Sequence, residues 1–297
     1  MSRRILASLL ALTALTALLT PGLARPDAFV AWTEGDAPAT ATATTPRRLF
    51  EPGTASEAAS SMRLDGFGAR LDRANLVARR ARSADEYIDG AYAASLRTPS
   101  GVRDAWLWEA AGLAERALRS DAELGRLLRA APFRLVVSDG LEAEAGWAHT
   151  VGRTIVVPSS RRGRGARDLA ALLVHEATHV FQRQFPAEAA AEAAAMGYDV
   201  ASRGPSASGG FARANPDTDG LVYPFGGHRC ESVWTGGEGA AQRAGLGGAE
   251  VRCVAGAGWA PATADAVPRG GRWSNPEHPW EVAAEAAQAR ALKALAG

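Results

Sequence analysis

Apolar residues recur at helical spacing from Leu64 through Leu71, Leu76 and Val77, and again from Val102 through Trp106, Leu113, Leu118, Leu124 and Leu128. This pattern predicts a helical first part over residues 62–131, with Trp106 and Trp108 as packing residues. The pattern then changes. Phe133-Arg134-Leu135-Val136-Val137 is strand-like, and the β-branched residues between Trp147 and Val157, around Val151-Gly152-Arg153, predict a hairpin. His149 falls on that hairpin as a packing or surface residue. The last strand stops at Pro158, and a Ser- and Gly-containing segment leads to a helix on which Leu169, Leu172, Leu173 and Val180 share helical spacing, with Asp168 favouring the dipole in its first turn. An Ala-rich helix follows over about 187–199, then a Gly- and Pro-rich stretch. The closing helix starts at Pro279, where a missing amide donor costs nothing. The chain therefore reads as α+β: mostly helical, with a small antiparallel sheet or hairpin before the helix that carries His175 and His179, sheet and helix together covering residues 132–185.

The N-terminus carries a different signal. Arg3 and Arg4 precede an uninterrupted apolar run from Ile5 to Leu19, a Pro-Gly break and Ala24, the arrangement of a secretory signal peptide over residues 1–24. That run is shorter than the roughly 20 residues that span a bilayer, so no permanent membrane anchor is expected. Ser2-Arg3-Arg4 adds a hint of twin-arginine export. From 25 to 61 the composition of Ala, Thr, Pro and Ser predicts a flexible leader compatible with a propeptide, which leaves 62–297 as the folded domain. A secreted or periplasmic location follows as the expectation.

Charge excludes one class of partner. Thirty-three basic residues balance thirty-two acidic ones, so nothing global points to nucleic acid, and the ligand has to be read from a site. The two cysteines, Cys230 and Cys253, lie in the Gly-rich stretch of about 200–274, expected as an irregular subdomain over the site. In an exported chain they predict a disulfide, which would stabilise the fold by about 3 kcal/mol.

The helix that follows the hairpin contains His175-Glu176-Ala177-Thr178-His179. Four residues advance a helix by just over one turn, so His175 and His179 project from one face and offer two imidazole nitrogens to one Zn2+ ion. Glu176 stands beside them, placed to take a proton from a water rather than to bind the metal. With five His and eighteen Glu in 297 residues, chance would produce this pattern about 0.005 times. A catalytic zinc needs a third protein ligand. Phe185 stands where the extended metzincin motif would place a third histidine. The expected source is the closing helix of 279–296, in which Glu281 and Glu285 share a face: Glu281 on the metal, Glu285 accepting the outer N–H of a metal-bound imidazole. Glu188 and Glu192 are the next choice. His228, Tyr223 and His278 are candidates to stabilise a developing oxyanion.

His175-Glu176-Ala177-Thr178-His179-Val180-Phe181-Gln182, followed by Glu281-Val282-Ala283-Ala284, resembles the gluzincin metallopeptidases, above all small secreted bacterial members with a minimal catalytic domain. The resemblance implies a zincin-like fold and zinc held by His175, His179 and Glu281. It further implies Glu176 as general base and a peptide or protein substrate. Glu285 departs from the thermolysin-like pattern, which has Asp there. Two other readings stand beside the peptidase: an extracellular or envelope binding domain with a structural zinc site closed by a fourth ligand, and an amidase of cell-wall peptides.

Overall fold

The computed structural model describes residues 48–206, 208, 211–255, 258–261 and 278–296. The signal-peptide reading of 1–24 and the first part of the leader lie outside them. The rest of the leader does not behave as its composition suggests. Phe50–Pro52 forms strand β1 and Ala55–Leu64 forms helix α1. Thr54 caps α1 by accepting from the Glu57 amide at 3.1 Å, while the Glu57 carboxylate accepts from the Thr54 amide at 2.7 Å. Ala58, Ala59 and Met62 of α1 and Phe50 of β1 are buried. Small residues that look like low complexity here form a tightly packed helix face, and the folded unit begins before residue 62.

Helix α2 (Arg73–Ala78) follows, then a π-helical stretch over Glu86–Tyr92 that runs into α3 (Ala93–Ser95) and β2 (Leu96–Arg97). Next come α4 (Ala105–Ser120), β3 (Phe133–Ser138), and the hairpin of β4 (His149–Val151) and β5 (Thr154–Pro158). The hairpin turns at Gly152, whose φ is +57°; a Cβ there would also meet Ser61 Oγ at 2.9 Å, so the turn needs glycine twice over.

The sheet is mixed rather than purely antiparallel. β3 runs parallel to β5 on one side, and on the other pairs parallel with β1 and antiparallel with β2, while β4 is an edge strand antiparallel to β5. Alternation along β3 explains its apolar run Leu135-Val136-Val137. Phe133, Leu135 and Val137 enter a core shared with α4 and with α5 (Ala166–Gln184), whereas Val136 and Val156 enter a second core with α1, Tyr87, Ile88 and Tyr92. A sheet covered on both faces has no polar side to show in the sequence, and its parallel pairs leave no local turn signal.

After α5 come α6 (Pro186–Ala195), β6 (Arg229–Val233), α7 (Gly237–Ala244), β7 (Glu250–Ala255), β8 (Gly258–Pro261) and α8 (Pro279–Ala294). The stretch expected as irregular thus contains a three-stranded antiparallel sheet, β6-β7-β8. Cys230 and Cys253 face each other across β6 and β7 and are joined as a disulfide. Helix α8 packs along α5, with Ala287 and Ala291 in the same core as Ala170, Val174 and Ala177. No helix among the described residues is long and apolar enough to cross a membrane.

Candidate metal centre

Helix α5 is buried along most of its length, because Leu169, Leu173, Val174, Ala177, Val180 and Phe181 face the core. This locks the roll of the helix and with it the direction of the histidine face. His175 Nε2 and His179 Nε2 lie 3.1 Å apart. Helix α8 crosses α5 close enough, through its alanines, to bring Glu281 to them: Glu281 Oε2 is 3.6 Å from His175 Nε2 and 3.7 Å from His179 Nε2. The start of α8 is held by His278, whose Nδ1 accepts from the Trp280 amide at 3.2 Å, with Pro279 at the first helical position.

The three donor atoms define a simple geometric test for a metal. A point equidistant from them lies about 2.0 Å from each, given their separations of 3.1, 3.6 and 3.7 Å, and zinc–imidazole and zinc–carboxylate bonds are about 2.0–2.2 Å long. The side chains are nearly enclosed: that of His179 is 0% exposed, Glu281 8% and His175 13%. Two imidazoles and one carboxylate, buried and converging at bonding distance, fit Zn2+ as a group. A point so nearly in the plane of three donors leaves room for further ligands.

No protein-family model, no curated protein and no solved structure matches this chain. The site therefore has to be read from its own residues.

Around the three donors, further side chains fix their orientation. His179 Nδ1 donates to Gln182 Oε1 at 2.9 Å, and Gln182 Nε2 donates to the Trp280 carbonyl at 3.0 Å, so Gln182 ties the tautomer of His179 to the start of α8. Glu281 Oε1 accepts from Asn215 Nδ2 at 2.7 Å. Glu176 is buried, and Thr150 of the edge strand β4 donates from Oγ1 to Glu176 Oε2 at 2.8 Å. The Thr150 amide in turn donates to Asp217 Oδ1 at 2.6 Å. Glu176, His179 and Asp217 form a second group of converging ligand atoms, all within 4.8 Å of one another.

Asn215, Asp217, Thr150 and Gln182 are absent from the sequence-level assignment of the site. Gln182 had a signal, since it lies one helical turn beyond His179 on the same face. Asn215 and Asp217 had none, because they sit in the segment 212–218 that only tertiary contacts position. Asn75 Nδ2 donates to the Ala212 carbonyl at 2.8 Å, and Asn75 Oδ1 accepts from the Ala214 amide at 2.7 Å. Arg79 Nη2 reaches the Ala214 carbonyl at 2.8 Å, Arg70 Nη1 the Asn215 carbonyl at 3.2 Å, and Arg183 Nη2 donates to the Pro216 carbonyl. Arg79 is itself held by a buried bidentate pair with Glu144, at 2.9 and 2.7 Å.

The remaining candidates lie as follows. Glu285 is partly buried one turn beyond Glu281; burial lowers the His175 pKa, but Glu281, Glu176 and Glu285 together raise it above its ordinary value. Tyr223 and His278 converge on Asp219, with Tyr223 OH donating at 2.6 Å and His278 Nε2 at 3.1 Å. His228 sits partly buried in a tight turn whose backbone pairs with Phe225. Glu188 and Glu192 pair instead with Arg129 at 2.8 Å and Arg126 at 2.7 Å. His149 is buried, with Nε2 at 3.0 Å from Tyr92 OH.

The protein's own charges divide the carboxyls of the cluster. Burial pushes Glu176 up to about 6, against the pull of His175 and the Thr150 hydroxyl. Glu281 is also buried, yet His175, His179 and Asn215 hold it well below the usual carboxylate range. Burial, with Glu176 and Glu281 nearby, raises Asp217 well above its ordinary value. Burial lowers His179 to about 3, with His175 and Arg183 adding to the effect, so its imidazole is neutral, the form that binds metal.

Proposed function

We propose that this protein is a zinc-dependent hydrolase of zincin-like architecture, most concretely a metallopeptidase, working outside the cytoplasm. The observation that carries the proposal is the delivery of Glu281 from α8 to bonding distance of a point shared with His175 and His179 of α5. A bound zinc would supply a Lewis acid that lowers the pKa of a water toward about 7 and polarises a carbonyl. His175, His179 and Glu281 would hold it. Glu176 has its Oε2 engaged by Thr150, which turns the carboxylate as a unit and leaves Oε1 to accept a proton from an attacking water and to pass it to the departing amine. A carboxyl with a pKa of about 6 is matched to that exchange near neutral pH. Gln182 and Asn215 bind no proton in this scheme; they orient His179 and Glu281.

The test is metal content by mass spectrometry together with cleavage of a mixed peptide library, with and without chelator. Glu176→Gln is expected to retain one zinc per chain and lose cleavage, whereas Glu281→Ala loses both. Full zinc occupancy in Glu281→Ala would remove the third ligand from the proposal. A reading in which zinc is purely structural draws support from one feature, Asp217, whose carboxylate converges with His179 and Glu176 and would close the site as a fourth ligand. Under that reading Asp217→Ala loses zinc and the wild type cleaves nothing.

A further inference from the structure

Behind Glu281 lies a cavity of about 340 Å³, lined by Arg70, Asn215, Thr218, Gly220, Ser206 and His278 among others. Asn215 donates its amide to Glu281 Oε1 at 2.7 Å, and its carbonyl accepts from Arg70 Nη1 at 3.2 Å. Asn215 thus joins the proposed third ligand to Arg70, which lines the cavity together with Arg213, Asp72 and Glu231.

Arg70 is placed there firmly. Nη1 also donates to the Thr218 carbonyl at 3.1 Å, the guanidinium lies 5.1 Å over the Phe67 ring, and Gly220, at φ +76°, leaves the space its side chain occupies. A Cβ at Gly220 would stand 2.5 Å from Arg70 Cδ. Yet Arg70 forms no ion pair among the described residues, and the hydrogen bonds it makes are all from Nη1. Arg79, more deeply buried than the half-buried Arg70, has the bidentate carboxylate of Glu144. Burial and the nearby Arg183 lower Arg70 to about 10, against the pull of Asp219 and Asp65. A guanidinium with its fork of donors open matches a carboxylate bidentately.

We propose that this cavity is a carboxylate-binding subsite in which Arg70 receives an anionic group of the substrate, selecting peptides that carry a carboxylate near the bond to be cut. The role as a substrate subsite rests on the hydrolase reading; the binding of a carboxylate does not. Two sources of the group share this chemistry, a C-terminal carboxylate and an acidic side chain.

The experiment uses the full chain carrying Glu176→Gln, so that peptides are bound and not consumed, and three probes: N-acetyl-Ala-Ala-Ala as free acid, the same peptide as C-terminal amide, and N-acetyl-Ala-Glu-Ala amide. Isothermal titration is expected to show the free acid or the Glu peptide binding at least tenfold more tightly than the Ala amide, and which of the two does so identifies the source. Adding Arg70→Gln removes that advantage. Because Arg70 also supports the segment 212–218, Ser206→Trp, at an exposed position on the cavity wall, serves as a second variant and removes the advantage by filling the mouth. Equal binding of all three probes overturns the proposal, as does an advantage that survives in folded Arg70→Gln or, should that variant not fold, in Ser206→Trp. A carboxylate advantage in a protein that holds no zinc and cleaves nothing would sink the hydrolase reading and leave the subsite standing. Cleavage without the advantage would sink the subsite alone.

Discussion

Thr150 Oγ1 donates to Glu176 Oε2 across 2.8 Å in the buried space between the edge strand β4 and helix α5. A hydrogen bond to the ionised form of a carboxyl favours that form, so Thr150 pulls the pKa of Glu176 down while burial pushes it up. Thr150→Val keeps the shape and removes the donor. It is expected to leave zinc content unchanged and to move the acidic limb of kcat/KM to higher pH, because a general base must be deprotonated and this one would hold its proton longer. A limb that stays in place would show that Thr150 does not act on Glu176.

Gln182 links His179 to the start of α8 through bonds of 2.9 and 3.0 Å. Partners of this kind set the tautomer and basicity of a ligating imidazole, and their loss costs about 10–100-fold in metal affinity. Gln182→Leu should weaken zinc binding by that factor in a competition with a chromogenic chelator, whereas Gln182→Glu, which preserves an acceptor for His179 Nδ1, should retain more of it. Equal affinity in the wild type and Gln182→Leu would contradict this role.

Glu144 and Arg79 form a buried ion pair that supports the segment carrying Asn215 and Asp217. Burial alone would raise the Glu144 carboxyl, but Arg79, His149 and the Tyr87 hydroxyl hold it below its ordinary value. The folded pKa being the lower one, the pair's contribution is complete above the unfolded carboxyl value of about 4.3 and is lost as pH falls through the folded value. Glu144→Ala leaves a buried guanidinium without its partner and should destabilise the fold by about 3–5 kcal/mol in urea denaturation at pH 7. A loss under about 1 kcal/mol would place the charge in contact with solvent instead.

The disulfide between Cys230 and Cys253 joins β6 to β7, and neither cysteine belongs to the converging His, Glu and Asp groups found among the described residues. Replacing both cysteines by serine is expected to lower unfolding free energy by about 2–4 kcal/mol while leaving zinc stoichiometry at one per chain. Loss of zinc at a pH and temperature where the variant is still folded would show that the β6-β7-β8 sheet shapes the site.

The sequence by itself was enough to propose His175, Glu176 and His179 as a unit, because their relationship is local. Helical periodicity sets which residues share a face, and the four-residue spacing needs no tertiary information. The closing helix with Glu281 was legible for a similar reason, a proline at its first position and two carboxylates one turn apart, although the distance from Glu281 to the histidines was not. The hairpin of β4 and β5 was legible through its β-branched strands and Gly152. What the tertiary structure alone decided is how these pieces meet. Parallel pairing of β3 with β1 and β5 joins segments far apart in sequence and carries no turn motif. The small residues of α1, which compose like a leader, acquire their role only when Ala58, Ala59 and Met62 are pressed against the sheet. Asn215 and Asp217 belong to no periodic element, and they reach Glu281 and Thr150 because Arg70, Asn75, Arg79 and Arg183 bind the backbone of their segment. Local spacing dictates which side chains share a face; long-range hydrogen bonds and packing dictate which faces share a site.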